Sequence, residues 1–404
     1  MFFADYGAHV RILEEVTTLQ KLGYEIEILA YPNGRDIDGI KVRRCWGVPF
    51  NYRVIVGSSR HKIYLDVLLA AMTILHGLRH KPDIIHAHLH EGGLIGWVLS
   101  RLTGAPLVFD YQGSLTGEMV DHRFLPAESR FFKFFYWLET QINHAADIIL
   151  TSSTHAANLL AENFAVSPAK IYPLPDCVNA DTFCANNYSD AEKRQLKASL
   201  GLPLDKKIIV YLGVLTPYQG VDLLLETLTR LKQTRNDYHL LMMGYPGVLK
   251  YQQMAEAMGL ADQVTFTGKI LYQDAPRYLA LGDIAVAPKI SATEGSGKIL
   301  NYMAMSLPTV AFNTPVSREF LGDGGIYAPE ISCQALETAL NRVLDLSTGK
   351  RQRLGYYLRQ RVITHFAWDR AGEQISAIYQ ALLSGEPLPT VNPRVTPRRL
   401  SGNS

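Results

Sequence analysis

Short apolar runs alternate with longer amphipathic stretches along almost the whole chain, and the series restarts once near its middle. That rhythm is the pattern of parallel strands buried on both faces by intervening helices. In the first half the strand candidates are residues 25–31, 83–86, 106–110, 147–151 and 170–174, with helices expected over 10–22, 64–78, 92–102, 127–144 and 153–163. A polar stretch over 186–203 then leads into a new apolar run at 207–213. From there, strands are expected at 239–244, 263–267, 283–288 and 309–312, and helices at 221–232, 249–258, 274–281, 296–305 and from 333 onward. The fold class is therefore α/β, with two doubly wound domains facing each other across a cleft at the carboxyl ends of their strands. The boundary is placed so that 1–185 is the first domain and 186–365 the second. The segment 385–404, rich in Pro, Arg and Ser, reads as a disordered tail.

A length of 404 residues suits two ordinary cores. The net charge of +2 forces neither a nucleic-acid partner nor a strongly charged ligand. Cys45, Cys177, Cys184 and Cys333 lack paired short spacing, so the reading is a reduced, cytoplasmic protein without structural zinc. The longest aliphatic run, 67–75, is about half of what a bilayer-spanning helix needs, and the start of the chain lacks the basic and apolar regions of a leader. No strand is followed by Gly-x-Gly-x-x-Gly and a distal acid, which argues against a nicotinamide oxidoreductase.

The chemistry-bearing segment is 294–305. Gly295, Ser296 and Gly297 stand where a buried strand runs into a helix, and the N–H groups and dipole of a helix start attract phosphate. Small side chains there let a diphosphate come close to the backbone. Lys289 and Lys298 flank the same turn. A cation in the first turn of a helix is unfavourable unless an anion lies nearby, so of the two Lys298 is the better candidate to meet an anion bound at this turn.

The segments PDIIHAHLHEGG (82–93), APLVFDYQGS (105–114), ADIILTSS (146–153), KIYPLPDCVNADTF (170–183), LGVLTPYQGVDLLLE (212–226), LLMMGYPG (240–247) and EGSGKILNYMAMSLPTVAF (294–312) occur in an order and spacing that resembles the family 4 glycosyltransferases. The resemblance covers nearly the whole chain. It implies a GT-B fold and a nucleotide-sugar donor. It also implies a glycan or lipid-linked acceptor, retention of anomeric configuration, no metal cofactor, and a role in polysaccharide or glycolipid building. It further implies that 366–384 is a helix crossing back to the first domain. By the same resemblance Glu294 and Lys298 are catalytic, and Gly213, Gln219, Lys289, Gly295, Ser296, Gly297 and Asn301 bind the donor. Gly7, His88, His90 and Gln112 lie on the acceptor side.

The chain departs from the family where relatives carry an Arg and a Lys after the second domain's first strand, for it has Val214 and Gln219 there. Asn301 replaces one of two customary glutamates, and Gln112 a customary histidine. These departures leave open a non-catalytic sugar-nucleotide-binding or scaffolding homologue. A nucleotide-sugar epimerase is a further alternative on the same architecture. His86, His88 and His90 alternate as strand residues do, but no Cys or Asp is read as completing a metal site with them; they read as acceptor-side polar groups, and Glu91 and Asp110 as acids that could orient an acceptor hydroxyl.

The aromatic stretch 129–139, interleaved with Arg130 and Lys133, is expected to bury its rings in the core, a peripheral membrane contact being the alternative. Helical periodicity begins at about His9, where relatives begin with a strand. This predicts that the first domain's central first strand is missing and that the natural protein is longer than the sequence in hand.

Overall fold

The computed structural model of the chain describes residues 8–34, 36–47, 62–121, 125–126, 128–291 and 295–389. They divide into two units. The first comprises Met1–Asp176, Thr293–Gly295 and Trp368–Ser404, and the second comprises Cys177–Ala292 and Ser296–Ala367. The second unit thus starts at Cys177, ahead of residue 186. Val178 and Phe183 are buried in its core, and the Val178 N–H bonds to the Phe366 carbonyl at 2.9 Å.

In the first unit the strands are β1 (Glu27–Ala30), β2 (Lys41–Arg44), β3 (Ile85–His88), β4 (Leu107–Tyr111), β5 (Ile148–Thr151) and β6 (Ile171–Pro173). The last four form one parallel sheet in chain order, while β1 and β2 pair in parallel as a separate sheet. The expected gap at the first strand falls on residues 1–7, which lie outside the described residues. Strand β2 was not expected, because Val42 is its one apolar residue. Arg43 and Lys41 are held instead by Glu27 of the neighbouring strand, at 2.8 and 3.3 Å. The helix Trp368–Ser384 groups with this unit and lies close against the helix Ala8–Lys21. A Cβ at Gly372 would come within 2.2 Å of the Thr18 side chain, so only glycine permits that approach.

The helix Arg130–Ala145 corrects the expectation of inward aromatics. It buries Glu139, Ile142 and Asn143, and leaves Phe131, Phe134 and Trp137 more than half exposed. The polar side fixes this orientation. The Glu139 carboxylate accepts from the backbone N–H of Leu115 and Thr116 at 3.0 and 2.9 Å, and a charge buried this way must face its donors.

The second unit carries β7 (Lys207–Gly213), β8 (Tyr238–Gly244), β9 (Val264–Gly268), β10 (Ile284–Ala287), β11 (Thr309–Phe312) and β12 (Ile326–Ala328). They form one parallel sheet in the order β12-β11-β10-β7-β8-β9. Runs such as LLMM in β8 are apolar throughout because both faces are covered. The strand order reverses between β7 and β10, and at such a point the connecting helices leave on opposite faces and open a crevice at the strands' carboxyl ends. Asp283, just before β10, ties these strands by accepting the Ile208 N–H at 2.9 Å.

Helix Thr348–His365 packs on this unit so closely that a Cβ on Gly355 would lie 1.8 Å from the Ser306 carbonyl oxygen. Gly355→Ala should therefore destabilise the protein by more than about 2 kcal/mol, although alanine is intrinsically the better helix former by about 1 kcal/mol. Gly349→Ala, in the same helix with nothing within 4 Å of the added carbon, should be neutral or stabilising. Urea denaturation of the two variants checks this contrast in sign. Equal effects would contradict the packing.

Candidate active site

At the switch point of the second unit, β7 ends at Gly213 and the chain turns through Pro217–Gln219 before the helix Val221–Leu231. Gly220 has φ +75°, and a Cβ there would lie 1.8 Å from the Pro288 carbonyl oxygen, so the turn sits directly on the end of β10. The loop after β10 is tied to the same turn, since the Ile290 and Ser291 N–H groups donate to the Tyr218 carbonyl at 3.0 and 3.3 Å. Gln219 is thereby buried. Its Oε1 accepts from Lys298 Nζ at 2.7 Å.

Lys298 occupies the first turn of the helix Gly297–Ala304. Its ammonium also lies 3.3 Å from the Tyr211 hydroxyl and 4.4 Å from that ring's centroid. The Tyr211 hydroxyl donates to the Val214 carbonyl at 2.8 Å, which turns a lone pair toward the lysine. Burial keeps this phenol well above its ordinary range, so it stays neutral. Gly213 makes the room, for a Cβ there would lie 2.5 Å from Lys298 Nζ. The helix is fixed to β7 by Tyr302, whose hydroxyl accepts the Leu212 N–H at 2.7 Å. The Lys298 ammonium at this helix start is thus held by an amide oxygen and an aromatic face, an arrangement that would also accept an anion.

Ser296, immediately before this helix, is buried, and its Oγ has no hydrogen-bond partner among the described residues. Asn301 is half-buried one turn along, and Lys289 is buried after β10. Gly295 groups with the first unit, where a side chain would meet the Asp176 carboxylate at 2.5 Å. Glu294 and Gly7 lie outside the described residues.

The first unit gathers charge around Arg11. Its Nε lies 2.8 Å from Asp110 Oδ2 and 3.0 Å from Glu15 Oε1, its Nη1 3.1 Å from Asp176 Oδ1, and its Nη2 donates to the Leu174 carbonyl at 3.1 Å. His88 Nδ1 lies 3.0 Å from Asp110 Oδ2, and Gln112 Nε2 donates to the same oxygen at 3.3 Å. Burial alone would raise the Asp110 carboxyl, but Arg11 and His88 hold it well below the usual range. Burial beside Asp110 raises Glu15. His86 stacks on His88 at 4.5 Å and meets the Tyr379 hydroxyl through Nδ1 at 2.6 Å. Burial, helped by His88, takes His86 down to about 3.

Two acceptor-side expectations, His88 and Gln112, therefore share one cluster, whereas His90 does not join it. The strand ends at His88 and the chain turns at Leu89, φ +62°, which breaks the alternation that would put His90 on the same face. His90 instead faces Glu139 at 3.5 Å. The expectation that no acid completes a cluster with these histidines is corrected, because Asp110 and Glu15 stand beside His86 and His88. Donor atoms of Glu15, His86, His88 and Asp110 lie within 4.8 Å of one another. Arg11 already meets both carboxylates there, so a metal ion at this place would share them with a guanidinium. Arg11, Glu15, Tyr211 and Tyr302 were not expected at either cluster. The Arg11–Glu15 spacing of four on one helix was the available signal, while Tyr211 and Tyr302 read as core.

Residues 6–177 match the family model described as glycosyl transferase 4-like domain, and residues 192–361 match the model for glycosyl transferases group 1. The chain belongs to the group 1 glycosyltransferases. It is 22% identical to a D-inositol 3-phosphate glycosyltransferase of Geodermatophilus obscurus, over 94% of this chain and 88% of that protein. It is 25% identical to an alpha-D-kanosaminyltransferase of Streptomyces kanamyceticus, over 74% and 77%. Among solved structures, sucrose-phosphate synthase of Thermosynechococcus elongatus aligns with a TM-score of 0.78 at 18% identity, covering 95% and 96% of the two chains. HepE of Anabaena in complex with UDP-glucose aligns with a TM-score of 0.71 at 16% identity, covering 93% and 97%. This glycosyltransferase has the GT-B fold. Among its described residues no helix is long and apolar enough to cross a membrane.

The buried neutral His86 has a consequence for this glycosyltransferase's stability. An imidazole in the unfolded chain takes a proton below about pH 6.5, but folded His86 does so only near 3. Its contribution is therefore present above about pH 6.5 and is lost as pH falls toward 3. Glu15, held up in the folded state, acts in the opposite sense. The difference between His86→Gln and the native chain isolates the histidine. The variant should lose stability less steeply between pH 6.5 and 4, by up to about 1.4 kcal/mol per pH unit in urea denaturation. Parallel curves would contradict the assignment.

Proposed function

We propose that this glycosyltransferase uses a uridine diphosphate sugar and retains the anomeric configuration, transferring to a hydroxyl of a glycan or lipid-linked acceptor. The observation that carries the donor half is the Lys298 ammonium, held by Gln219 and Tyr211 at the strand-order reversal beside Ser296. The bond between the sugar's C1 and the β-phosphate oxygen breaks, and its electron pair stays on the diphosphate. The acceptor oxygen bonds to C1, and its proton passes to the departing diphosphate oxygen. Lys298 offsets the charge that grows on the leaving diphosphate, and Ser296 offers its buried hydroxyl to a phosphate oxygen.

Gln219 takes the place of a customary cation by directing Lys298, so one ammonium does what two side chains do elsewhere in the family. The uridine assignment is supported by the neighbour crystallised with UDP-glucose. Retention and the acceptor class rest on family membership. The same ammonium supports turnover without a metal ion.

Lys298→Ala should lower turnover by about 10²-fold or more while leaving the melting temperature nearly unchanged. Gly213→Ala, which would displace the ammonium, should fall in between. Chelation with EDTA should leave the native rate intact. Steady-state assays of UDP release with and without acceptor check all three. Native turnover in Lys298→Ala would overturn the donor-site reading, and an EDTA-sensitive rate would overturn metal independence.

A further inference from the structure

We propose that the outward face of the helix Arg130–Ala145 is a docking surface for an anionic lipid bilayer. Phe131, Phe134 and Trp137, spaced by three, are 55, 54 and 55% exposed, far more than three large aromatic side chains retain when covered. Arg130 precedes Phe134 by four residues and Lys133 precedes Trp137 by four, so two basic side chains stand among the rings on one side of the helix. Phe134 and Trp137 form a ridge with ring centroids 6.1 Å apart, and the Arg130 guanidinium lies 5.1 Å from the Phe131 centroid. The helix has one acid, Glu139, which is fully buried and turned to the Leu115 and Thr116 N–H groups. Glu128, exposed two residues before the helix, is the acid nearest in sequence.

The composition of this face favours a bilayer over a protein partner. Lys133 sits in the middle of the ridge, exposed. The core of a protein interface is depleted of lysine, because an ammonium buried there must find a carboxylate. At a lipid surface the lysine and arginine stems lie along the apolar layer and their charges reach the phosphates, while the rings enter the boundary beneath. Tyr136 marks the edge of the face, since its ring stacks on Phe164 of the helix Thr154–Phe164 at 5.0 Å. The helix thus keeps its polar side on the protein and lies along a surface. This inference goes beyond the transfer reaction and does not require a lipid-linked acceptor.

The test is flotation of the full chain with vesicles of phosphatidylcholine alone and of phosphatidylcholine with phosphatidylglycerol in equal parts, neither containing a sugar acceptor. Binding to the anionic vesicles should be at least tenfold tighter, and should weaken by tenfold or more in Phe134→Ser/Trp137→Ser and in Arg130→Glu/Lys133→Glu. Leu249→Ser, at a side chain 75% exposed in the second unit, should bind as the native chain does. Circular dichroism on each variant shows that the fold persists, and donor hydrolysis in solution should be unchanged. The proposal is overturned if both vesicle types bind alike, if the helix variants bind as tightly as the native chain, or if those variants form a different oligomer in solution and bind vesicles normally. The last result would make the face a protein interface.

Discussion

A charge taken out of water must be met by a partner of fixed geometry, and in this chain that requirement organises both units. In the first, the Arg11 guanidinium draws together a helix, the end of β4 and the segment after β6 by holding Asp110, Glu15, Asp176 and the Leu174 carbonyl. In the second, the Lys298 ammonium is held by Gln219 and the face of Tyr211. The two solutions differ in kind. Arg11 is saturated by carboxylates and serves as a structural tie, which leaves little of it for a ligand. Lys298 is held by an amide oxygen and an aromatic face at a helix start, where an anion is favoured.

The sheet topology places that charge. With order β12-β11-β10-β7-β8-β9, the ends of β7 and β10 flank the crevice, and each supplies one wall of the lysine's surroundings. Gly213 at the end of β7 leaves space for the ammonium, and Gly220 lets the Gln219 turn lie on Pro288 after β10. Either glycine replaced by a larger residue would move a wall. The turn carries Gln219 where the sequence resemblance implies a cation, and Gln219 makes the positioning contact to Lys298.

The second unit was largely legible in the sequence, because fully buried parallel strands are written as apolar runs that few other structures can use, and β7, β8, β10 and β11 fall where those runs lie. What escaped reading had a common cause: it depended on partners remote in sequence. Strand β2 is polar, and its pairing is supported by Glu27 in β1. The helix Arg130–Ala145 has enough rings to cover most of its circumference, so its orientation is settled by Glu139 and the N–H groups it must serve. The histidine series looked like one cluster, but the turn at Leu89 sends His90 to Glu139 and leaves His86 and His88 with Asp110. Lys298 was legible as a cation out of place at a helix start. Its tether to Gln219 was not, since the two are 79 residues apart.

The central claim is that Lys298, directed by Gln219, is the charge that meets the donor's diphosphate. A crystal structure of the full chain with uridine diphosphate tests it most directly. The account predicts a β-phosphate oxygen within hydrogen-bonding distance of Lys298 Nζ, with the Ser296 hydroxyl on a phosphate oxygen and Gln219 still bonded to the lysine. A nucleotide bound elsewhere, or bound at this helix start with Lys298 turned away from its phosphates, would contradict it.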